Sequence, residues 1–111
     1  MEYKIAKEYT DLPGGRYIYM GPHSGEDFRD SVLVNLINEC IKNNEQLILD
    51  FDGAYGYPPS FIEEAFGGLV RNHNFSYNTL KNILSLISID DKDLPNEVLK
   101  AIKDADKLKS R

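Results

Sequence analysis

The sequence predicts a small α/β domain whose central sheet is mostly parallel and begins with an N-terminal hairpin. The expected order is strand, strand, helix, strand, helix, strand, helix. Two observations predict it: short apolar runs alternate with stretches of helical periodicity, and turns rich in glycine and proline separate them. Such alternation implies right-handed crossovers between parallel strands after the hairpin. With 111 residues, 41% of them hydrophobic, the chain is predicted to be one domain over 1–111.

The first part of the chain predicts the hairpin and one helix. In residues 2–9 apolar and polar side chains alternate, which is typical of an edge strand with one face exposed to solvent. The segment TDLPGG at 10–15 is rich in turn-forming residues, and residues 16–20 are again mainly aromatic and β-branched, as in a second strand. Ser24, three residues before Asp27, then forms a weak capping box. A helix is predicted after it, because apolar residues follow at helical spacing: Phe28, Val32, Leu33, Leu36, Ile37 and Cys40. Cys40 is therefore interpreted as an inert core thiol.

The stretch from Gln46 to Asn72 is the centre of the prediction. Its first six residues are a continuous apolar run ending in acids, which is typical of a central strand covered on both faces. Glycines and prolines over 53–59 stop that strand. Ser60 stands three residues before Glu63, the reciprocal cap that predicts a helix from Phe61. Binding groups gather where strands end and helices begin in such sheets, so this turn is the expected functional edge.

The remaining residues predict a loop, a strand and a helix. Residues 73–79 are polar and rich in Asn and Ser, which favours a loop. The apolar run at 83–89 is interpreted as a strand, with a helix as the open alternative. Pro95 suits a first helical turn, and the apolar positions after it have helical spacing. The lysine-rich end from Lys107 onward is expected to fray.

Composition narrows the function classes. A net charge of −5 argues against a general nucleic-acid or anionic-membrane partner, since both would be repelled at long range. One cysteine allows no internal disulfide, and there is neither a signal-type apolar region nor a bilayer-length run, so a cytoplasmic protein is expected. His23 and His73 are too poorly accompanied to indicate a metal site, and no cofactor is indicated.

Three segments resemble a known family: PGGR at 13–16, SGEDFR at 24–29 and LDFDGAYGYPPSFIEEAFGGLVR at 49–71. Their sequence and spacing are similar to the small bacterial STAS-like domains of unknown function, distant relatives of the anti-sigma-factor antagonists. In those antagonists a partner that is both anti-sigma factor and ATP-dependent kinase phosphorylates a serine after the equivalent strand. The resemblance aligns Ser60 with that serine, and Asp50 and Gly53 with the strand-end Asp and Gly. Pro58, Pro59 and Phe61 depart from the antagonist pattern.

The resemblance implies a non-enzymatic regulatory module that binds a protein, with Ser60 as a candidate phosphorylation site. The partner it implies is an ATP-binding anti-sigma-factor or histidine-kinase-like protein. A phosphate on Ser60 would add about −1.5 to −2 charges where such a partner docks. The alternative role for Ser60 is a helix cap only. The candidate partner-binding residues are Asp52, Gly53, Tyr55, Tyr57, Pro58, Pro59, Ser60, Phe61, Glu63 and Glu64.

Two other functions stay open. Asp50 and Asp52, which follow an apolar strand, are similar to the first motif of haloacid-dehalogenase-type phosphatases. In those enzymes the first acid is the nucleophile, the second is a general acid, and Mg²⁺ neutralises the phosphate. Asp90 and Asp91 would supply the later metal ligands. The competing interpretation is that Asp50 and Asp52 cap the turn through backbone N–H groups. The second function is a constitutive interaction or scaffold domain. The glycine pair 67–68 predicts close approach of the sheet or of another chain, as in a homodimer.

Overall fold

A computed structural model describes residues 1–109 and contains a three-stranded sheet in which every strand is parallel. The strand order is β1-β2-β3, with β1 Glu2–Lys4, β2 Leu47–Asp50 and β3 Leu84–Ile87. Glu2 pairs with Ile48, and Ile48 pairs with Ser85. The predicted central strand is confirmed as β2, and the predicted edge position of the first strand is confirmed as well.

The predicted N-terminal hairpin is wrong. After β1 the chain turns into a short helix, α1 Ile5–Glu8, and a single 3₁₀ turn at Ile18–Met20 replaces the second strand. Gly14 N donates to His23 O at 2.8 Å, and Gly25 N donates to Gly15 O at 2.9 Å, so residues 10–24 fold back on themselves as a loop. Within the predicted second strand, Arg16 O accepts from Glu26 N at 3.0 Å and Ile18 N donates to the Glu26 side chain at 2.9 Å, so backbone groups that a strand ladder would need are already used.

A long helical segment over residues 25–43 confirms the first predicted helix. It consists of α2 Gly25–Phe28, a π-helical turn Arg29–Leu33 and α3 Val34–Asn43. Ser24 Oγ accepts a hydrogen bond from Asp27 N at 3.0 Å, as the capping pattern predicts. Asn44 ends the segment in the left-handed conformation that an asparagine tolerates.

A second long helical segment spans residues 59–73: α4 Pro59–Ile62, a π-helical turn Glu63–Gly67 and α5 Gly68–His73. It crosses the first segment at Gly25, where the lack of a side chain lets the two backbones approach closely. A Cβ on Gly25 would lie 3.1 Å from Phe61 Cα and 3.2 Å from Ala65 N. Close backbone contact at Gly25 therefore sets how the two long segments pack.

The last third of the chain contains α6 Tyr77–Ile83, then β3, then α7 Leu94–Lys109. The strand prediction for 83–89 is confirmed, but part of the predicted loop 73–79 is helical. Ser76 caps α6 by accepting from Thr79 N at 3.1 Å. The end of the chain was expected to fray from Lys107 onward, but Lys107–Lys109 are part of helix α7. The last two residues of that end lie outside the described part of the chain.

The core is continuous and packs the helices onto the sheet. Phe28 and Phe61 stack with centroids 5.7 Å apart, which joins the two long segments. Cys40 is fully buried among them, as predicted, and burial raises the pKa of its thiol. The largest fully buried side chains are Phe28, Phe61, Phe66, Ile5, Leu33, Ile37, Leu47, Leu49, Leu69, Leu80, Ile102 and Val70. Among residues 1–109 no helix has the length and apolar character needed to cross a bilayer.

Candidate functional site

Three loops meet at the carboxyl edge of the sheet, because the carboxyl ends of parallel strands lie on one side. They are residues 9–24, the turn at 51–58 and the loop at 88–93. Tyr55 N donates to Asp11 O at 2.8 Å, which joins the first loop to the turn. The predicted functional turn therefore lies beside loop 9–24, the segment that was predicted to form part of a hairpin.

Aspartate side chains join the turn to the loop at 88–93. The Asp52 carboxylate accepts from Ile89 N and from Asp90 N, each at 2.8 Å, and Asp90 Oδ2 in return accepts from Gly53 N at 3.0 Å. Asp50 Oδ1 accepts from Asp52 N at 2.9 Å. Asp50 thus caps the start of the turn through a backbone N–H group, as the competing interpretation expects, whereas Asp52 binds the backbone N–H groups of the loop at 88–93. Within residues 1–109, no three His, Cys, Asp or Glu side chains are placed to share a metal ion.

A shallow apolar depression lies on one side of this turn. It has a volume of about 350 Å³ and is lined by Leu12, Pro13, Tyr55, Gly56, Tyr57 and Pro58. Tyr55 is 84% exposed. Tyr57 is half-buried, and its hydroxyl donates to Phe51 O at 2.9 Å. Burial first, and then the negative charges of Asp50, Asp52 and Asp90, raise the pKa of Tyr57. Three of the predicted partner-binding residues are therefore brought together here.

Ser60 is not a helix cap, and the helix begins at Pro59 rather than at Phe61, which corrects both predictions. The N-cap position belongs to Pro58, no side chain caps this helix, and Pro59 occupies the first turn. Proline suits that turn because its fixed φ is helical and its missing N–H would have had no partner. Ser60 Oγ makes no hydrogen bond within residues 1–109, and it is not among buried unsatisfied polar atoms, so it reaches solvent.

The two glutamates of the predicted site lie in a cluster of ion pairs. Arg16 bonds to Glu63, and its Nη1 lies 3.2 Å from Glu64 Oε1. Arg71 Nη1 donates to Glu63 Oε2 at 2.6 Å. Arg29 Nη1 donates to Glu64 Oε2 at 2.6 Å. The arginines come from loop 9–24 and from both long helical segments, so the cluster ties these three parts together.

Arg29 and Glu64 form the buried centre of this cluster. Their side chains are 4% and 7% exposed, and Arg29 Nη1 also donates to the Glu64 carbonyl oxygen at 3.1 Å. Removing one member of such a pair typically costs about 3–5 kcal/mol because the other charge is left buried and unpaired. Glu64 is thus a structural residue, and Phe61, fully buried, has no surface for a partner. Both were predicted to bind a partner, and the structure instead buries them in the fold.

Two carboxylates at the rim of the cluster have perturbed acidities. Burial opposes the ionisation of Glu63, but hydrogen bonds from Arg71 and Arg16 outweigh it and lower the pKa of this carboxyl. In the same way burial opposes the ionisation of Asp30, while Arg29 and His73 lower the pKa of its carboxyl. His73 Nε2 lies 2.9 Å from Asp30 Oδ1. The neighbouring cations therefore favour the ionised forms of Glu63 and Asp30.

The remaining predicted site residues lie on a second groove. Pro59 and Glu63 face α7 across a depression of about 230 Å³, whose other lining residues are Ile62, Glu97, Lys100, Ala101 and Asp104. The predicted site is therefore divided between two neighbouring surfaces and a buried cluster. The sequence analysis did not identify Leu12 or the three arginines. The sequence did contain a signal for the arginine cluster: each of the three segments that resemble the family contains one arginine, and the third also contains the Glu63–Glu64 pair.

The glycine pair 67–68 packs against other elements of this chain rather than against the sheet. The space above Gly68 is filled by the Arg29 side chain, with Cδ 2.9 Å from where a Cβ would be. Gly67 lies beside Glu63, Arg71 and the carbonyl oxygen of Ala101 in α7. The predicted close approach is real, but the neighbours are elements of the same chain.

A comparison with family models decides the family. The model described as "STAS-like domain of unknown function (DUF4325)" matches residues 24–94, more than half of the chain. This chain belongs to that family. The resemblance stated from the sequence is thus confirmed, and the family description names no enzymatic activity. No curated protein and no solved structure matches the chain.

Proposed function

We propose that this STAS-like domain is a non-enzymatic regulatory module that binds a protein partner at the carboxyl edge of its sheet. The observation that carries the proposal is the depression lined by Leu12, Pro13 and residues 55–58. It presents Tyr55 and Leu12, which are 84% and 65% exposed, on a turn held in place by backbone hydrogen bonds. Exposed aromatic side chains on a rigid support are typical anchors of protein interfaces.

Loop 9–24 extends the same surface. Its 3₁₀ turn exposes Ile18, Tyr19 and Met20, and Tyr17 stacks on Tyr19 with ring centroids 5.6 Å apart. Large apolar side chains grouped on the surface of a small domain mark interaction sites more often than chance exposure does. The Arg16 bonds to Glu63 and Glu64 hold this loop against the second long helical segment, so it is a stable part of the surface.

We further propose that phosphorylation of Ser60 switches this interaction, and that an ATP-dependent kinase-like partner supplies the phosphate. Ser60 lies two residues after Pro58, which lines the depression, and its hydroxyl reaches solvent without serving as a cap. The helix start tolerates added negative charge, because its unpaired N–H groups carry partial positive charge. A partner seated on Tyr57 and Pro58 would instead meet about −1.5 to −2 charges and additional bulk.

The test is a pull-down from a lysate of the native cells with three baits: the natural chain, Ser60→Glu and Asn78→Glu. Asn78 is an exposed residue in the first turn of α6. Its neighbour Thr79 lines a pocket with Gln46, which precedes β2, so glutamate at position 78 adds the same charge away from the proposed surface. Intact-mass measurement of the recovered natural bait reports phosphorylation as an addition of ~80 Da.

A partner that binds the natural chain and Asn78→Glu but not Ser60→Glu, together with added mass on the natural bait, supports the regulated module. A partner shared by all three baits with no added mass refutes the switch and leaves a constitutive interaction domain. If Tyr55→Ala retains every partner at wild-type yield, the proposed surface itself is refuted.

A further inference from the structure

A second, smaller pocket lies on the other side of the 55–57 turn, between that turn and the loop at 88–93. Its volume is about 190 Å³, and its lining residues are Phe51, Ala54, Tyr55, Gly56, Tyr57, Ser88, Asp90, Asp91 and Leu94. Sites for drug-sized ligands usually measure about 300–1,000 Å³, so this pocket suits a group of side-chain size. Two features identify what would enter it: its walls are aromatic, and its charged lining residues are both acids.

The aromatic walls have a defined arrangement. The rings of Phe51 and Tyr57 meet edge to face, with centroids 5.3 Å apart. The Tyr57 hydroxyl is fixed by its bond to Phe51 O, and Tyr55 also lines the pocket, from the exposed turn. Aromatic faces attract cations through their quadrupole, by about 0.5–1 kcal/mol at exposed sites and more where water is excluded.

The acids at this pocket are positioned and have free acceptor oxygens. Asp90 Oδ2 is bound to Gly53 N, and Asp91 Oδ1 accepts from Asp93 N at 3.0 Å. The other carboxylate oxygen of each makes no hydrogen bond within residues 1–109. Asp52 adds a third negative charge behind the loop. After burial, the negative charges of Asp50, Asp52 and Asp90 also raise the pKa of Tyr57, so this wall of the pocket lies near negative charge.

We infer that this pocket binds an alkylammonium group, either that of a free primary amine or that of a lysine side chain. The alkyl part would lie against Phe51, Tyr57 and Leu94, and the ammonium would donate to the free oxygens of Asp90 and Asp91 while facing the Tyr55 ring. Among the described residues, no lysine or arginine lines the pocket. This inference does not depend on the partner or on the phosphorylation proposed above.

The test is an NMR titration of the amide signals of residues 53–57 and 88–93 with two cations, butylammonium and acetyl-Gly-Lys-Gly-amide. Each is matched with a neutral control, butan-1-ol and the peptide carrying Nε-acetyl-lysine, at constant ionic strength. We expect saturable shifts of these amides with a dissociation constant on the order of 1 mM. Absence of such shifts up to about 50 mM of both cations overturns the inference, as does equal binding of the neutral controls.

Variants locate the binding. Tyr55→Ala and Asp91→Asn are each expected to weaken binding by about three- to tenfold, the size of one cation–π or one charge contact. Tyr19→Ala is the matched control, because that tyrosine is 81% exposed, close to the 84% of Tyr55, and does not line the pocket. Equal weakening by Tyr19→Ala would place the cation elsewhere and refute the site. Peptide binding about tenfold tighter than butylammonium assigns the site to lysine side chains, and equal affinity assigns it to free amines.

Discussion

Two neighbouring glycines in the second long helical segment are expected to respond oppositely to alanine: Gly68→Ala destabilises the fold, and Gly67→Ala does not. A Cβ on Gly68 would lie 2.9 Å from Arg29 Cδ and 3.0 Å from Arg29 Cζ. Arg29 is buried and bonded to a buried carboxylate, so it cannot rotate away without breaking that pair. A Cβ on Gly67 would meet the ends of Glu63 and Arg71 at 2.6 and 2.8 Å, and both side chains are more than a third exposed and free to move.

The magnitudes follow from these contacts. Alanine is favoured over glycine inside a helix by about 1 kcal/mol, and this gain applies to both variants. At Gly67 the gain is offset by weakening an exposed ion pair, worth about 0.2–1 kcal/mol, so the net change is within about 1 kcal/mol of zero. At Gly68 overpacking costs about 1–3 kcal/mol, and disrupting the buried pair raises that cost toward about 3–5 kcal/mol. The expected net destabilisation by Gly68→Ala is about 2–4 kcal/mol.

Urea unfolding followed by circular dichroism measures both variants against the natural chain. Equal unfolding midpoints for the two alanine variants would refute the assignment of Gly68 to Arg29. A double-mutant cycle isolates the cause: in a background carrying Arg29→Ala and Glu64→Ala, Gly68→Ala should lose its cost and stabilise the helix by about 1 kcal/mol. A cost that persists in that background would show that the obstacle is not the arginine.

Two further predictions concern the carboxylates. Asp52→Ala should speed hydrogen exchange at the Ile89 amide, because that N–H loses its bond to the Asp52 side chain. Asp93→Ala also removes one negative charge, from the loop that contains Ile89, and should leave this amide protected; equal exchange in both variants would contradict the prediction. The second is pH dependence: the lowered pKa values of Asp30 and Glu63 mean that their stabilisation is complete above the unfolded-state pKa near 4. Stability should therefore fall as the pH drops below about 4, and Asp30→Asn or Glu63→Gln should flatten that fall in urea midpoints measured from pH 3 to 6.

The sequence predicted those elements whose signal is local. The strand β2, the helix capped by Ser24 and the helix α7 follow from apolar spacing and capping residues within a few positions of each element. The family resemblance likewise came from contiguous segments. Such signals persist in the folded chain because no distant residue competes for the same groups.

The errors arose where distant residues decide the outcome. Residues 16–20 have the composition of a strand, but Arg16 is held by two glutamates 47 and 48 positions away, and the flanking glycines bond to residues 23 and 25. Arg16 and Arg71 both bind the Glu63 carboxylate. Glu63 therefore does not accept from the Ser60 backbone N–H, as the reciprocal cap would require. The helix α6 was missed because Leu80 is its only fully buried residue, which leaves almost no apolar periodicity to detect.

The polar groups at the carboxyl edge of the sheet and those of the arginine cluster therefore have different roles in the structure. The cluster lies between the helices and holds them together, so its charges are consumed within the fold. At the edge the Asp52 and Asp90 bonds join two loops whose strands are only four residues long, and those bonds lock the backbone that displays Tyr55. A binding group on a locked turn loses little conformational entropy when it engages a ligand. That is why the two pockets flanking residues 55–57, rather than the charged cluster, are the surfaces on which this domain is expected to act.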